Sequence, residues 1–457
     1  MADDRYAALD ALVAERLPAW TDELVQFCRF SSEEDDRDAL LGAADWTAER
    51  LRALGAEVEV VELEGAPPLV VGEIGDGPVL NCVQHYDVQP AAPLELWATP
   101  PYEPDIRDGR VFARGATDNK GELLPRIWAV EAYLEAVGPL PCRVRFLVEG
   151  EEESGSGHLD ALLDQRPHLR KAEGALIEGG GLDLEGRPYV VGGGRGMVSL
   201  ELVARTIAHD AHSSLAMVLP SAAVRMAQVL ATLWDRHGLP AIDGLDAGAL
   251  PPTPAQLAIV DAMPLRELDD LRGEFGVERF LAGRDGVEAL RAITFETTLN
   301  VQGLWSGYTG PGGNTIVPAE AHARLDIRLV PDQDPAVVAA AVRSHLDGHG
   351  FADVEIVPIE IPYRAYWTAA DHPILDAASR VSEAVTGQPA IRAVAMSGTV
   401  PMWQVCGRDE VPQTSLGAGR DDCRAHAPDE NIRIEDLGTA TRITARFLDA
   451  FAELPGG

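Results

Sequence analysis

Apolar residues recur at helical spacing over residues 5–29 (Leu9, Leu12, Val13, Leu17, Leu24, Phe27), which predicts an amphipathic helix. A second helix is expected from about Asp38 to Leu54, closed by Gly55. The period then drops to two in EVEVVEL, a strand. VLNCVQHYDV is a mostly apolar strand introduced by the turn-forming GDGP. GELLPRIWAVEAYLEAVG reads as a helix closed by Gly138, RVRFLVEG as a strand, GHLDALLDQ as a short helix and GALIEGG as a buried strand. Alternation of this kind predicts a sheet sandwiched by helices, with functional loops at the carboxyl ends of its strands.

From about Arg195 the order changes. MVSLELVARTI is a strand, PSAAVRMAQVLATLWDR a helix, TTLNVQG and AEAHARLDIRLVP strands, PAVVAAAVRSHLDGHG a helix and DVEIVPIE a last strand. With the Pro- and Asp-punctuated stretch from Leu239 to about Ala292 set aside, this is β-α-β-β-α-β, the split βαβ plan of ferredoxin-like domains. The remaining residues return to an α/β pattern. The expectation is an α/β domain in two parts, residues 1–195 and 363–457, with an α+β domain, residues 196–362, inserted between them.

Composition narrows the functions available. The chain has 457 residues, with 38 Lys+Arg against 73 Asp+Glu and a formal net charge of −35. That length exceeds what one core usually supports, which agrees with two domains. The acidity argues against binding nucleic acid or an anionic membrane surface, both of which need a cationic face. Cys28, Cys82, Cys142, Cys406 and Cys423 are scattered with no C-x-x-C pair, against both a disulfide framework and a thiolate zinc site. MADDRYAALDALVAERLPAW has neither a basic n-region nor an apolar h-region, and no apolar run approaches the roughly 18 residues of a membrane span. A cytoplasmic protein is expected.

The polar residues that interrupt apolar strands carry the chemistry. His85 and Asp87 stand two apart at a strand's end, so their side chains point to one side. A carboxylate beside an imidazole fixes its tautomer and raises its basicity, as a metal-ligating histidine requires, although H-x-D alone also describes a surface hydrogen-bonded pair. Asp118, in VFARGATDNKGE, lies in a Gly-flanked loop before a helix, where it can be a ligand or a simple N-cap. Glu149, Glu151, Glu152 and Glu153 crowd the end of a buried-looking strand, a costly arrangement unless cations neutralise it or water screens it. Glu178 ends another apolar strand, and His426 sits in the polar loop DDCRAHAPDENI. Two histidines and three or more carboxylates, nearly all at strand ends, form an N/O donor set suited to zinc in a hydrolytic two-metal site, with manganese or cobalt also fitting.

The order and wording of QHYDVQP, LWATPPYEPDIRDGRVFARGATDNKGE, EGEEESGS, HDAHSS, NTIVPAEAHARLDIRLVPDQDP and AHAPDENI resemble the di-zinc aminoacylase, carboxypeptidase and dipeptidase family, most of all its carnosinase and cytosolic non-specific dipeptidase branch. The resemblance runs from about residue 80 to 431. It implies a zinc-peptidase-like catalytic domain, with helices on both faces of a mostly parallel sheet, and an inserted ferredoxin-like lid and dimerisation domain. It further implies two divalent cations, most readily Zn2+ with Mn2+ or Co2+ as options, and a homodimer acting on a small peptide or N-acyl amino acid. Residue by residue, it implies His85 and Glu178 on one metal, Glu153 and His426 on the other, and Asp118 bridging both. Glu152 matches the general base, with Glu151 at the variable place, and Asp87 the residue steering His85. His212 matches the histidine that stabilises the oxyanion, with His209 a nearby decoy. Arg328 matches the clamp on a substrate carboxylate, unless it simply pairs with Asp326 or another neighbour. Thr315 and Thr399 fall at polar substrate contacts.

Some positions depart from the branch. Glu178 stands where the branch usually has Asp, a Glu that carboxypeptidase-like and deacylase-like relatives carry, and Gly179, Gly180 and Gly181 follow in place of bulkier residues. HDAHSS replaces the more usual D-L-H-S-G, and Leu215, Ala216 and Met217 stand where an aromatic-Gly-Gly follows. The leading expectation is hydrolysis of the amide of dipeptides or related small amino-acid amides. An N-acyl-amino-acid deacylase or carboxypeptidase using the same site is the nearest alternative, and a metal-free binding or scaffold homologue the alternative of another class.

Overall fold

The computed structural model describes residues 2–359 and 361–455. They form two compact units. The larger takes in the chain up to Gly193, Trp367–Met396 and the chain from Val400 onward; the smaller takes in Gly194–Tyr366 with Ser397–Thr399.

The larger unit is built on an eight-stranded sheet in the order Glu57–Val61, Leu69–Ile74, Arg143–Glu149, Val79–His85, Gly174–Ile177, Gln413–Ser415, Tyr189–Val191, Ile391–Ala393. The four strands from Arg143–Glu149 to Gln413–Ser415 run parallel, and the first two are antiparallel additions. Apart from the first residue, Val79–His85 and Arg143–Glu149 are buried throughout, which is why they read as apolar runs and not as alternations. Leu80, Cys82, Val144, Phe146 and Val148 face a core shared with the helices Ala2–Phe27, Arg37–Leu54, Lys120–Ala136, Pro373–Thr386 and Ile434–Ala452. Trp128 of the central helix is fully buried and stacks on Trp20 at 5.3 Å between ring centroids. The alternate residues Asn81 and Arg145 donate instead to the main-chain carbonyls of His168, Leu169 and Lys171, so the short helical segment Pro167–Arg170 lies on part of the second face.

This topology sets three strand ends side by side. His85 is in register with Glu149 on one neighbour, and Glu178 directly follows Ile177 on the other. A separate three-stranded sheet, Asn431–Arg433, Arg110–Phe112 and Asp105–Arg107, ties the segment after Phe112 to the segment before Asn431.

The smaller unit has an antiparallel sheet in the order Asn300–Ser306, Glu320–Leu329, Gly196–Arg205, Glu355–Pro358, with Ala222–Leu233 and Pro335–Gly348 packed on it. The first strand in the chain lies beside the third and the fourth, the split βαβ arrangement. The punctuated stretch set aside in the sequence holds three helices, Pro254–Asp261, Arg266–Phe275 and Gly286–Phe295. Its prolines and aspartates are start signals more than breakers. Thr253 and Gln256 form a reciprocal capping box with Pro254 in the first turn, and Asp285 caps the last of the three. Among the described residues the five cysteines are free, and no helix is long and apolar enough to cross a membrane.

Candidate metal centre

His85, Asp118, Glu153, Glu178 and His426 of the larger unit converge. The His85 side chain is 1% exposed; its Nδ1 lies 3.1 Å from the Asp87 carbonyl oxygen and 3.2 Å from Asp87 Oδ1. Its Nε2 faces Asp118 Oδ1 at 3.1 Å and Glu178 Oε2 at 2.9 Å. The other oxygen of Asp118 lies 2.9 Å from His426 Nε2, which in turn is 3.1 Å from Glu153 Oε2. Two triads result, His85–Asp118–Glu178 and Asp118–Glu153–His426, each with its donor atoms within 4.8 Å of one another and with Asp118 common to both. Glu152 Oε2 stands 4.0 Å from His85 Nε2, while Glu151 is engaged by His158 Nδ1 at 2.9 Å. The Glu149–Glu153 run is thus dispersed: Glu149 takes the Ser156 hydroxyl, and successive glutamates reach different partners.

Local backbone explains how each side chain gets there. The Asp118 loop folds tightly onto the helix it precedes, since a Cβ on Gly121 would fall 1.8 Å from the Ala116 carbonyl oxygen. His426 comes from a loop in which Arg424, His426 and Asp429 all have φ near +60°, a conformation costing non-glycine residues of order 1–3 kcal/mol each. Cross-bracing holds it. The Asn431 side-chain amide donates to the carbonyls of Cys423 and Asp429, and Asp429 Oδ1 accepts from the Ala98 N–H. Asp87 Oδ2 accepts from the Glu153 N–H at 2.9 Å, so Asp87 touches both triads.

The electrostatics follow from five carboxylates (Asp87, Asp118, Glu152, Glu153, Glu178) gathered on two imidazoles. Burial works against a charged His85, but Glu178, Asp87 and Asp118 hold its imidazolium well above the usual range. Asp118 and Glu153 push His426 up to about 10. Burial would raise Asp118, yet the hydrogen bonds from His426 and His85 bring it below the usual carboxylate range. Glu152 is raised well above that range, by burial first and then by Glu178; Glu178 is raised by burial, against the pull of His85. The cluster therefore stabilises positive charge at two adjacent points. Two imidazole nitrogens and three carboxylates around those points are a fitting donor set for two divalent cations.

The other sequence candidates lie in the smaller unit. His212, at the end of the bridge pair Ala211–His212, is exposed; its Nδ1 accepts from the Ser214 N–H at 3.2 Å and lies 2.8 Å from the Ser214 hydroxyl. His209 Nδ1 lies 3.3 Å from the Asp210 carbonyl oxygen. Arg328 donates from Nη1 to Thr399 Oγ1 at 2.6 Å, and Asp326 is taken by the Asn300 amide, so the pairing of Arg328 with Asp326 does not form. Thr315 is exposed, and its carbonyl accepts from the Ser213 N–H.

Three residues near the triads escaped the sequence reading. Asn119 donates from its amide to Glu178 Oε2 at 2.8 Å, Glu122 accepts from the Gly179 N–H at 2.8 Å, and Glu430 accepts from the N–H groups of Thr117 and Asp118. Asn119 and Glu122 look like ordinary residues at a helix start, and Glu430 is hidden in a polar loop. The one signal available was that Glu430 directly precedes a buried, sheet-forming Asn-Ile pair.

Comparison with known proteins extends these observations. The Beta-Ala-His dipeptidase of Rattus norvegicus is 30% identical over 316 residues, 66% of this chain and 64% of that protein, so the match spans a little under two thirds of the relative's length. The M20 family metallo-carboxypeptidase Sso-CP2 of Sulfolobus solfataricus superposes with a TM-score of 0.88 at 31% identity, covering 95% of this chain and 99% of that one. The di-peptidase Dug1p of Saccharomyces cerevisiae shares the fold, with a TM-score of 0.85 at 22% identity over 98% of this chain and 99% of that one. Residues 83–450 match the signature of one family along most of the chain, and on that match the chain belongs to peptidase family M20/M25/M40.

Proposed function

We propose that the chain is a metal-dependent hydrolase of the amide bond of dipeptides or related small amino-acid amides. The observation that carries this reading is the pair of triads sharing Asp118, whose two oxygens face two different imidazoles. His85 and Glu178 would hold one divalent cation, Glu153 and His426 the other, and Asp118 both, with zinc as the metal these donors suit best. When bound, the two cations supply an acidified water and the positive charge that polarises the scissile carbonyl.

The chain's own residues perform the remaining tasks. Glu152, beside His85 and raised above the ordinary carboxylate range, is suited to take the proton of the attacking water and return it to the leaving amine. Asp87 fixes His85 with Nε2 turned to the centre. His212 is proposed as donor to the tetrahedral oxyanion. Since the Ser214 N–H points at its Nδ1, the neutral ring carries its proton on Nε2, the atom that would donate. Arg328, tethered to Thr399, is proposed to clamp the substrate carboxylate, a task that the planar guanidinium fork suits, with Thr315 and Thr399 as polar contacts to the substrate.

A carboxypeptidase or N-acyl-amino-acid deacylase with the same machinery is the second reading. It is favoured by Glu178 and by the likeness to a metallo-carboxypeptidase. Turnover of a panel of dipeptides, longer peptides and N-acyl amino acids by the zinc- or manganese-loaded protein separates the two. Turnover of dipeptides in preference to the rest is expected; cleavage of N-acyl amino acids or longer peptides without any dipeptide supports the second reading.

A further inference from the structure

We propose that Glu430 is a positioning residue that locks the loop carrying Asp118 to the loop carrying His426, so that both cation sites depend on it together. Glu430 is fully buried and lies four residues after His426. Its Oε1 accepts from the backbone N–H of Thr117 and of Asp118, each at 2.9 Å. Its Oε2 accepts from the Gly115 N–H at 3.0 Å and from Arg114 Nη1 at 2.7 Å, and its carbonyl accepts from the Ala113 N–H at 3.1 Å. Every one of those donors belongs to residues 113–118, the segment that ends in the shared carboxylate.

The chemistry demands a carboxylate here. Both oxygens face donors, and glutamine, with one acceptor oxygen and one NH2, would set a donor against Thr117 and Asp118 or against Gly115 and Arg114. Arg114 is 1% exposed and ion-paired to Glu430, so the buried charges compensate each other as well as hold the loop. Fixing the Asp118 N–H fixes the backbone from which its two oxygens reach His85 and His426. A shift there displaces a donor from both triads, whereas a change at Glu178 or Glu153 displaces one.

This inference rests on the reading of Asp118 as a bridging ligand, and its test keeps the two apart. The metal-free full-length protein, its Glu430→Gln and Glu430→Asp variants, and Asp449→Asn are titrated with Co2+, following the visible ligand-field bands and the stoichiometry, with thermal unfolding measured on the metal-free forms. Asp449, bonded to Arg5, Tyr6 and Tyr133, serves as a control for lost stability without contact to either loop. The wild type is expected to bind two Co2+ per chain. Glu430→Gln should weaken both by about 10–100-fold and alter the bands, Glu430→Asp should fall between, and Asp449→Asn should keep wild-type affinities. If Glu430→Gln does not fold, Glu430→Asp decides, since it keeps a charge for Arg114 but is one methylene too short for all the donors. Weakening of one Co2+ alone, or wild-type affinity for both in a folded Glu430 variant, overturns the proposal. A folded wild type that binds no Co2+ overturns the metal reading itself.

Discussion

The two halves of the cluster use similar donors on different supports. The half around His85 is assembled from adjacent strand ends: His85 is 1% exposed, Glu178 is buried beside it, and Asp87 and Asn119 hold them from behind. The half around His426 hangs on a loop with three left-handed non-glycine residues, and the His426 side chain is 55% exposed. A sheet positions ligands through its own hydrogen-bond ladder. A loop has to be positioned by bonds added for the purpose, here from Asn431, Asp429 and Glu430. On the proposed assignment of Asp118 to both cations, the difference predicts a tight inner site and a labile outer one.

The largest effect should come from removing what the halves share. Asp118→Ala is expected to lose both cations and essentially all turnover, read as metal per chain by mass spectrometry after gel filtration. Retention of one cation at full occupancy would show that the halves are independent. Next is Glu152→Gln, expected to keep both cations and lower kcat by about 10²–10⁴-fold, because it removes a proton acceptor and no ligand. A smaller effect is expected at Asp87, which touches both triads: Asp87→Asn should cost about 10–100-fold in metal affinity with the fold retained.

The sequence displayed one half more clearly than the other for the same physical reason. His85, Glu149 and Glu178 stood out because a charged or imidazole side chain at the end of an apolar strand is conspicuous. His426, in a polar loop, has the pattern of a surface histidine, and only the resemblance to a family singles it out. The braces were least visible. Asn119 and Glu430 act through backbone N–H groups and side-chain amides brought together across 59 and more than 300 residues, and spacing along the chain carries no trace of such contacts. At the level of the fold, alternation revealed the α/β and split βαβ plans, while the helices between Pro254 and Phe295 were masked by prolines and aspartates that begin helices as readily as they end them.

The smallest expected effects sharpen the contrast in stability. His426→Ala should cost the metal-free protein about 0.2–1 kcal/mol, because solvent reaches its half-exposed ring and partly replaces its pairing with Asp118 and Glu153. His85→Ala should cost about 1–3 kcal/mol, because it leaves buried carboxylates without their partner. Equal losses in urea unfolding would remove the distinction between a sheet-held and a loop-held half.

The central claim is that two cations sit on either side of Asp118. Anomalous X-ray diffraction from zinc-loaded crystals tests it directly. Two peaks about 3.5–4 Å apart are expected, one reached by His85 and Glu178 and the other by Glu153 and His426, with Asp118 touching both. A folded, zinc-soaked protein showing one peak, or none, at that position would contradict the account.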